Sequence, residues 1–162
     1  MRSRSLEFDK NTKRDVSKNI FIRLVQRTDL RRIYEIEIES FKTPYSFFTL
    51  QTLFWFNKEY FYVAEIGGKI VGYIIGDVRN NHGHVVSIAV DSQYRGKGVG
   101  KCLMEVLIKK FKETSIKTIR LEVAVSNLIA QTFYKKMGFR AIGRIKNYYR
   151  NGEDAFLMEK RL

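Results

Sequence analysis

One cysteine, one proline, one tryptophan and two histidines are all that this 162-residue chain has of those types. A lone cysteine, Cys102, excludes an internal disulfide framework and fits a reducing compartment. Two histidines and one cysteine leave too few ligands for a built-in zinc site, so no metal is expected. No apolar run approaches the roughly 20 residues of a membrane-spanning helix. The segment from Met1 to Asn19 carries charges throughout and no hydrophobic stretch, so no secretory signal is expected. The chain therefore reads as cytoplasmic, with no membrane partner. Acidic residues are also few beside basic ones, 17 against 30, for a formal charge of +13. A field of that sign attracts nucleic acid or phosphorylated ligands, or simply keeps a protein soluble. Ribosome or RNA attachment is one partner reading, although no RNA-recognition, KH or zinc-finger pattern accompanies it.

What is abundant is core-forming material: 44% of residues are hydrophobic and 14% aromatic. One domain over residues 20–162 can bury a real core. Residues 1–19 hold six Lys or Arg and three Asp or Glu. They read as a disordered basic tail that burial cannot order. Strands are expected at 20–25, 60–65, 69–77, 84–90, 118–125, 140–146 and 155–160. Gly67-Gly68 and Asn151-Gly152 mark the turns of two hairpins. Helices are expected from Thr28 or Asp29 to about Glu39, from Ser46 to Phe56, from Gly98 to Lys112 and from Asn127 to Met137. The third has Lys101, Glu105, Lys109 and Lys112 on one stripe, with Val99, Cys102, Leu103, Val106 and Leu107 as its packed face. Gly138 stands at the C-cap of the fourth. The result is a mixed α/β sheet covered by helices.

The densest signal is strand 84–90 followed by Asp91-Ser92-Gln93-Tyr94 and then Arg95-Gly96-Lys97-Gly98-Val99-Gly100-Lys101. A glycine-rich turn entering a helix N-terminus is an anion site, because its N–H groups lack intrahelical partners and the helix dipole adds positive charge. Glycines let the backbone approach a phosphate closely, and Arg95, Lys97 and Lys101 add formal charge. The dinucleotide fingerprint G-x-G-x-x-G is not met, nor is the Walker pattern with its terminal Gly-Lys-Ser/Thr.

Arg95-x-x-Gly98-x-Gly100 resembles the pyrophosphate signature of the GNAT superfamily of acetyltransferases. Ser87-Ile88-Ala89-Val90, Leu121-Glu122-Val123, Ser126-Asn127, Phe133-Tyr134 and Met137-Gly138-Phe139 continue the resemblance. Their order and spacing are those of RimI-type and archaeal N-terminal (N-alpha) acetyltransferases. The resemblance covers about residues 20–162. It implies a mostly antiparallel central sheet of about seven strands flanked by about four helices. It implies acetyl-CoA as cosubstrate and protein N-termini, one ribosomal protein or many, as acceptors; a monomer or weak dimer is expected. Ile88, Ala89 and Val90 would meet the pantetheine arm, a backbone amide near Ile88 would polarise the thioester, and residues 95–101, with Val99 inside the turn, would hold the diphosphate. Asn127 would contact the cofactor as well as cap its helix.

Acetyl transfer to an amine needs a base for the amine and a proton for the departing thiolate. Glu122 lies opposite the apolar face of its strand and is either an exposed carboxylate or, as the resemblance implies, the base. Tyr134 sits two helical turns from Asn127 and is either core packing or the acid that protonates coenzyme A. Cys102 reads as a buried small hydrophobe, which favours direct transfer in a ternary complex. His84 is a strand-end histidine or a proton relay near the acceptor. Phe41, Thr43 and Tyr45 should line the acceptor groove by analogy with the family. Archaeal relatives carry Glu-Asn-Tyr where this chain reads Phe41-Lys42-Thr43, whereas Pro44-Tyr45-Ser46 is similar to the Pro-Trp-Ser of bacterial RimI. Tyr148 and Tyr149 either clamp the acceptor peptide or fill the core. Freeing an α-amine of pKa near 8 costs about 3 kcal/mol less than freeing a lysine at neutral pH, which favours N-termini over side chains.

Overall fold

A computed structural model describes residues 19–162, so the expected N-terminal tail lies almost wholly outside the described residues. These residues form one sheet of seven strands in the order β1-β2-β3-β4-β5-β7-β6. The strands are β1 (Phe21–Leu24), β2 (Phe61–Ile66), β3 (Lys69–Arg79), β4 (His82–Val90), β5 (Thr118–Ala124), β6 (Arg140–Ile145) and β7 (Ala155–Arg161). Four helices accompany them: α1 (Leu30–Ser40), α2 (Phe47–Phe56), α3 (Val99–Lys112) and α4 (Leu128–Lys136). Every neighbouring pair of strands is antiparallel except β4 and β5.

The local causes are visible residue by residue. Gly67 and Gly68 take φ of 59° and 77° in the β2–β3 turn, the left-handed pair a tight hairpin requires. Ser46 caps α2 by accepting from Thr49 N at 3.1 Å, and Asn127 caps α4 by accepting from Ala130 N at 3.0 Å. Asp29 does not cap α1. Its carboxylate takes Arg23 and the backbone N of Gln26 instead, within a 3-10 turn at Arg27–Asp29 that precedes the helix.

Two apolar layers sandwich the sheet. One is built on α3, with Leu103, Met104, Leu107 and Phe111 fully buried against Val71, Ile74, Val85 and Ile119. The other sets Leu30, Ile33, Ile36 and Leu50 from α1 and α2 against Phe61, Val63, Tyr73 and Ile75. The helix faces differ from the simple apolar pattern at two places. Cys102 is only half-buried, and the packed face of α3 is centred on the i, i+4 rows 99–103–107–111 and 104–108. On α1, Ile38 is 47% exposed while Glu37 is buried at 2%. Glu37 falls four residues after Ile33 and seven after Leu30, on the stripe that faces the sheet.

Gly76 lets α3 approach β3: a Cβ there would come within 2.8 Å of Leu107 Cδ1. Residues Asp91 to Gly98 then carry the chain from the end of β4 to the start of α3.

Candidate active site

The two parallel strands at the centre of the sheet pair briefly and then part. β4 meets β5 at Gly83↔Ile119 and His84↔Arg120. Beyond that point, Val85 to Val90 pair only with β3, while Leu121 to Ala124 pair only with β7. The backbone edges of 85–90 and 121–124 thus face a cleft rather than each other. Ile88, Ala89 and Val90 lie along one wall, close to the glycine turn at its outer end.

Gly96 and Gly98 adopt φ of 72° and 86°, and a Cβ on either would meet nothing within 4 Å. The turn is therefore open to solvent where the first N–H groups of α3 lack intrahelical acceptors. Gly98 is the N-cap, its carbonyl accepting from Cys102 N at 3.0 Å. Gly100 faces Phe133 of α4, whose ring carbon lies 3.5 Å from where a Cβ would stand. Lys97 reaches over the ring of Tyr94 at 5.1 Å, and Lys101 is 3.8 Å from Glu105. Free donors, open glycines and flanking ammonium groups fit a diphosphate, and the cleft behind them fits an extended arm with amide groups. Arg95 behaves differently from its neighbours. Its guanidinium turns back to Val90 O at 2.9 Å and Ser40 Oγ at 3.2 Å, tying the end of β4 to α1.

At the inner end of the cleft Glu122 Oε2 lies 2.6 Å from His84 Nε2. Register explains the meeting, since His84 is level with Arg120 and Glu122 is two residues further on the same face of β5. Burial penalises the Glu122 carboxylate, but the His84 hydrogen bond and charge outweigh it and hold its pKa below the usual value, helped by Arg79 and Tyr148. His84 moves the other way. Burial opposes its charge, yet the neighbouring Asp77 and Glu122 carboxylates raise its pKa.

Two tyrosines flank this pair, and a third stands beside one of them. Tyr148 and Tyr149 sit in the loop between β6 and β7, their rings edge-on at 4.9 Å. The loop is held to the end of β5 by Ser126, whose backbone N donates to Glu153 Oε1 at 3.0 Å. Burial raises the Tyr149 pKa to about 12, with the charge of Glu122 adding to it. Tyr148 rises for the same two reasons. Tyr134 on α4 is 9% exposed and packs on Phe133 and Phe139. Burial, then Tyr149, pushes its pKa far up, so its hydroxyl keeps its proton at neutral pH.

The segment 41–46 enters from the opposite side. Thr43 is exposed, Phe41 is half-buried against the α1–α2 layer, and Tyr45 is half-buried. Tyr45 N donates to Glu37 Oε1 at 2.8 Å. The Tyr73 hydroxyl donates to the other Glu37 oxygen and lies 3.1 Å from Ser87 Oγ. A buried carboxylate thus anchors the 41–46 loop to β3 and β4. Burial raises the Glu37 pKa against these hydrogen bonds. Glu37, Tyr73, Asp77 and Arg79 all escape the sequence reading. For Glu37 the signal exists, as an acidic residue on an apolar helical stripe.

A sheet split between β4 and β5, with a glycine turn at one end and a carboxylate among tyrosines at the other, defines an acyl-transfer enzyme. The chain belongs to the acetyltransferase (GNAT) family, whose sequence model matches residues 30–139. It is similar to an uncharacterized N-acetyltransferase of Methanocaldococcus jannaschii, 41% identical over 143 residues that cover 88% of this chain and 92% of the relative. It is similar to an N-alpha-acetyltransferase of Sulfurisphaera tokodaii, 38% identical over 155 residues that cover 85% of this chain and 90% of the relative. The crystal structure of Ard1 from Thermoplasma volcanium superposes with a TM-score of 0.86 at 30% identity, covering 89% of this chain and 98% of that one. Members of the family take their acetyl group from acetyl-CoA. Among the described residues no group of three or more His, Cys, Asp and Glu is placed to hold a metal, and no helix is long and apolar enough to cross a membrane.

Proposed function

We propose that this protein acetylates the α-amine at protein N-termini, by direct transfer from acetyl-CoA with both substrates bound. The observation that carries this reading is Glu122. It is a carboxylate on the open face of β5, held by His84 and flanked by Tyr148 and Tyr149 at the inner end of the cleft. The N-alpha-acetyltransferase relative supports the choice of acceptor.

Acetyl-CoA supplies an acyl group activated as a thioester. The free N–H groups at the start of α3 and the turn 96–100 bind its diphosphate, and the edge of β4 at Ile88 to Val90 aligns the arm. Glu122 accepts a proton from the acceptor amine. Tyr134, held protonated by burial, donates to the departing sulfur. Tyr45, Tyr148 and Tyr149 flank the peptide, with Phe41 and Thr43 at the rim. A peptide N-terminus suits this site because its amine loses a proton more readily than a lysine does.

The test is a panel of peptides with different first residues, each carrying an internal lysine, incubated with enzyme and acetyl-CoA. Mass spectrometry then locates the added acetyl group. Acetylation at the N-terminal nitrogen is expected. Label found only on lysine side chains would overturn the reading.

A further inference from the structure

Both nitrogens of His84 face carboxylates. Nε2 lies 2.6 Å from Glu122 Oε2 and Nδ1 lies 3.2 Å from Asp77 Oδ1. The three side chains are 7%, 16% and 20% exposed for His84, Glu122 and Asp77. Neither His84 Nδ1 nor Asp77 Oδ1 has a hydrogen-bond partner among the described residues, so the two stand 3.2 Å apart as a buried, unpaired nitrogen and carboxylate oxygen. A neutral imidazole has one N–H and one lone pair. Whichever nitrogen carries the hydrogen, the other aims its lone pair at a buried carboxylate. A second proton on the ring removes that conflict, makes the Glu122 contact charge-assisted and sets a cation beside the Asp77 carboxylate. The cluster is built to hold one extra proton.

The chemistry calls for such a store. A lone carboxylate titrates near 4.3 and is a poor match for an α-ammonium near 8. An α-ammonium gives up two protons as its N–C bond forms and the thioester C–S bond breaks. One proton ends on the departing sulfur, with Tyr134 protonated before and after. The other is released. Building on the reading that Glu122 faces the acceptor amine, we propose that Asp77, His84 and Glu122 act as one proton-accepting unit. In it, Asp77 is the positioning residue that lets His84 hold the released proton. That proton passes through Glu122 to His84 Nε2 and then to solvent.

The charged and titratable groups around the ring support this assignment. Asp77 and Arg79 face it from β3, Arg120 and Glu122 from β5, and Tyr45 and Tyr148 lie beyond Glu122. Arg79 sits 2.9 Å from Asp77 and opposes the added charge, while Arg120 is engaged by Glu159 at 2.9 Å. Two carboxylates against one nearby guanidinium still favour the imidazolium. Asp77 stands directly across from His84 in the β3–β4 register, so the contact is fixed by strand pairing rather than by a mobile loop.

The experiment uses the full chain. Its two histidines, His82 and His84, give two imidazole resonances that a His82→Gln variant assigns. The His84 midpoint is followed by NMR in the wild type and in Asp77→Asn, beside the pH dependence of kcat/KM on an acceptor peptide. Removing the Asp77 charge should lower the His84 midpoint by about one pH unit. The acid limb of kcat/KM should move to lower pH by the same amount, with the plateau rate falling about tenfold. Asp77→Glu should recover much of both. A folded Asp77→Asn with an unmoved midpoint or an unmoved limb overturns the proposal. Should Asp77→Asn not fold, a wild-type midpoint at or below 6.5 overturns it. A wild type that acetylates no peptide N-terminus overturns the functional reading and the proton's route with it. In that case the NMR titration still reports separately whether Asp77 governs His84.

Discussion

His84 and Glu122 touch where the pairing of β4 with β5 ends. His84 belongs to the last registered rung, and Glu122 lies two residues past it on β5, reaching back 2.6 Å to the imidazole. The pair closes the inner end of the cleft, so its proposed chemistry can be tested separately from coenzyme binding at the glycine turn.

Glu122→Gln keeps the shape of the side chain and removes its basicity. Turnover on an acceptor peptide should fall about 100-fold or more at neutral pH. Calorimetric affinity for coenzyme A should stay within about twofold, because the diphosphate turn is at the other end of β4. Steady-state kinetics beside calorimetry checks both halves, and unchanged turnover would remove Glu122 from the reaction.

Tyr134→Phe deletes a hydroxyl whose pKa is far above the ordinary phenol value. The expected result is a loss of about 100-fold in kcat with KM for the peptide little changed. Because the phenol stays protonated well past pH 10, the wild-type rate should show no Tyr134-dependent decline below that pH. A falling limb between pH 8 and 10 that disappears in Tyr134→Phe would contradict the assignment.

Gly98→Ala tests the turn. At φ 86° an alanine is strained, yet its Cβ would strike nothing within 4 Å. The cost is conformational, about 1–2 kcal/mol. The melting temperature should drop by several degrees. If the loop relaxes to relieve the strain, the donors at the start of α3 shift and coenzyme A affinity should weaken about tenfold. Thermal melts with and without coenzyme A measure the two effects.

Stability against pH follows from the same cluster. His84 has a raised pKa, so its contribution is fully present below its ordinary 6.5 and is lost as pH rises through the folded value. Glu122 and Asp77 have lowered values, so theirs are present above the ordinary 4.5 and 3.8 and are lost as pH falls through the folded ones. The cluster supports the fold best between about pH 4.5 and 6.5. His84→Gln should flatten the decline of melting temperature on the alkaline side of that window. A decline of wild-type slope in the variant would assign it elsewhere.

Much of this architecture is legible in the residues themselves. The alternation Ile119, Leu121, Val123 fixes which face of β5 is buried and leaves Glu122 on the other, as observed. Glycine pairs mark the β2–β3 turn, and Ser46 and Asn127 mark helix starts because capping is a local interaction. What escapes are relations between distant segments. The separation of β4 from β5 after one short stretch of pairing has no local signature. The meeting of Asp77 with His84 depends on a register that includes an irregularity between Ile75 and Gly76. Asp29 shows the same limit: it is an able helix cap by type, but Arg23 and Glu65 from neighbouring strands compete for its carboxylate and for its partner.

The parted strands carry one more consequence. Main-chain groups of Val85 to Val90 and Leu121 to Ala124 have no ladder partner across the gap, so the two halves of the sheet are joined by two rungs. On the proposed function, an extended ligand bearing amides seated there would serve as a temporary eighth strand. On that reading, each catalytic cycle would fill this gap in the sheet and the departing carrier would reopen it.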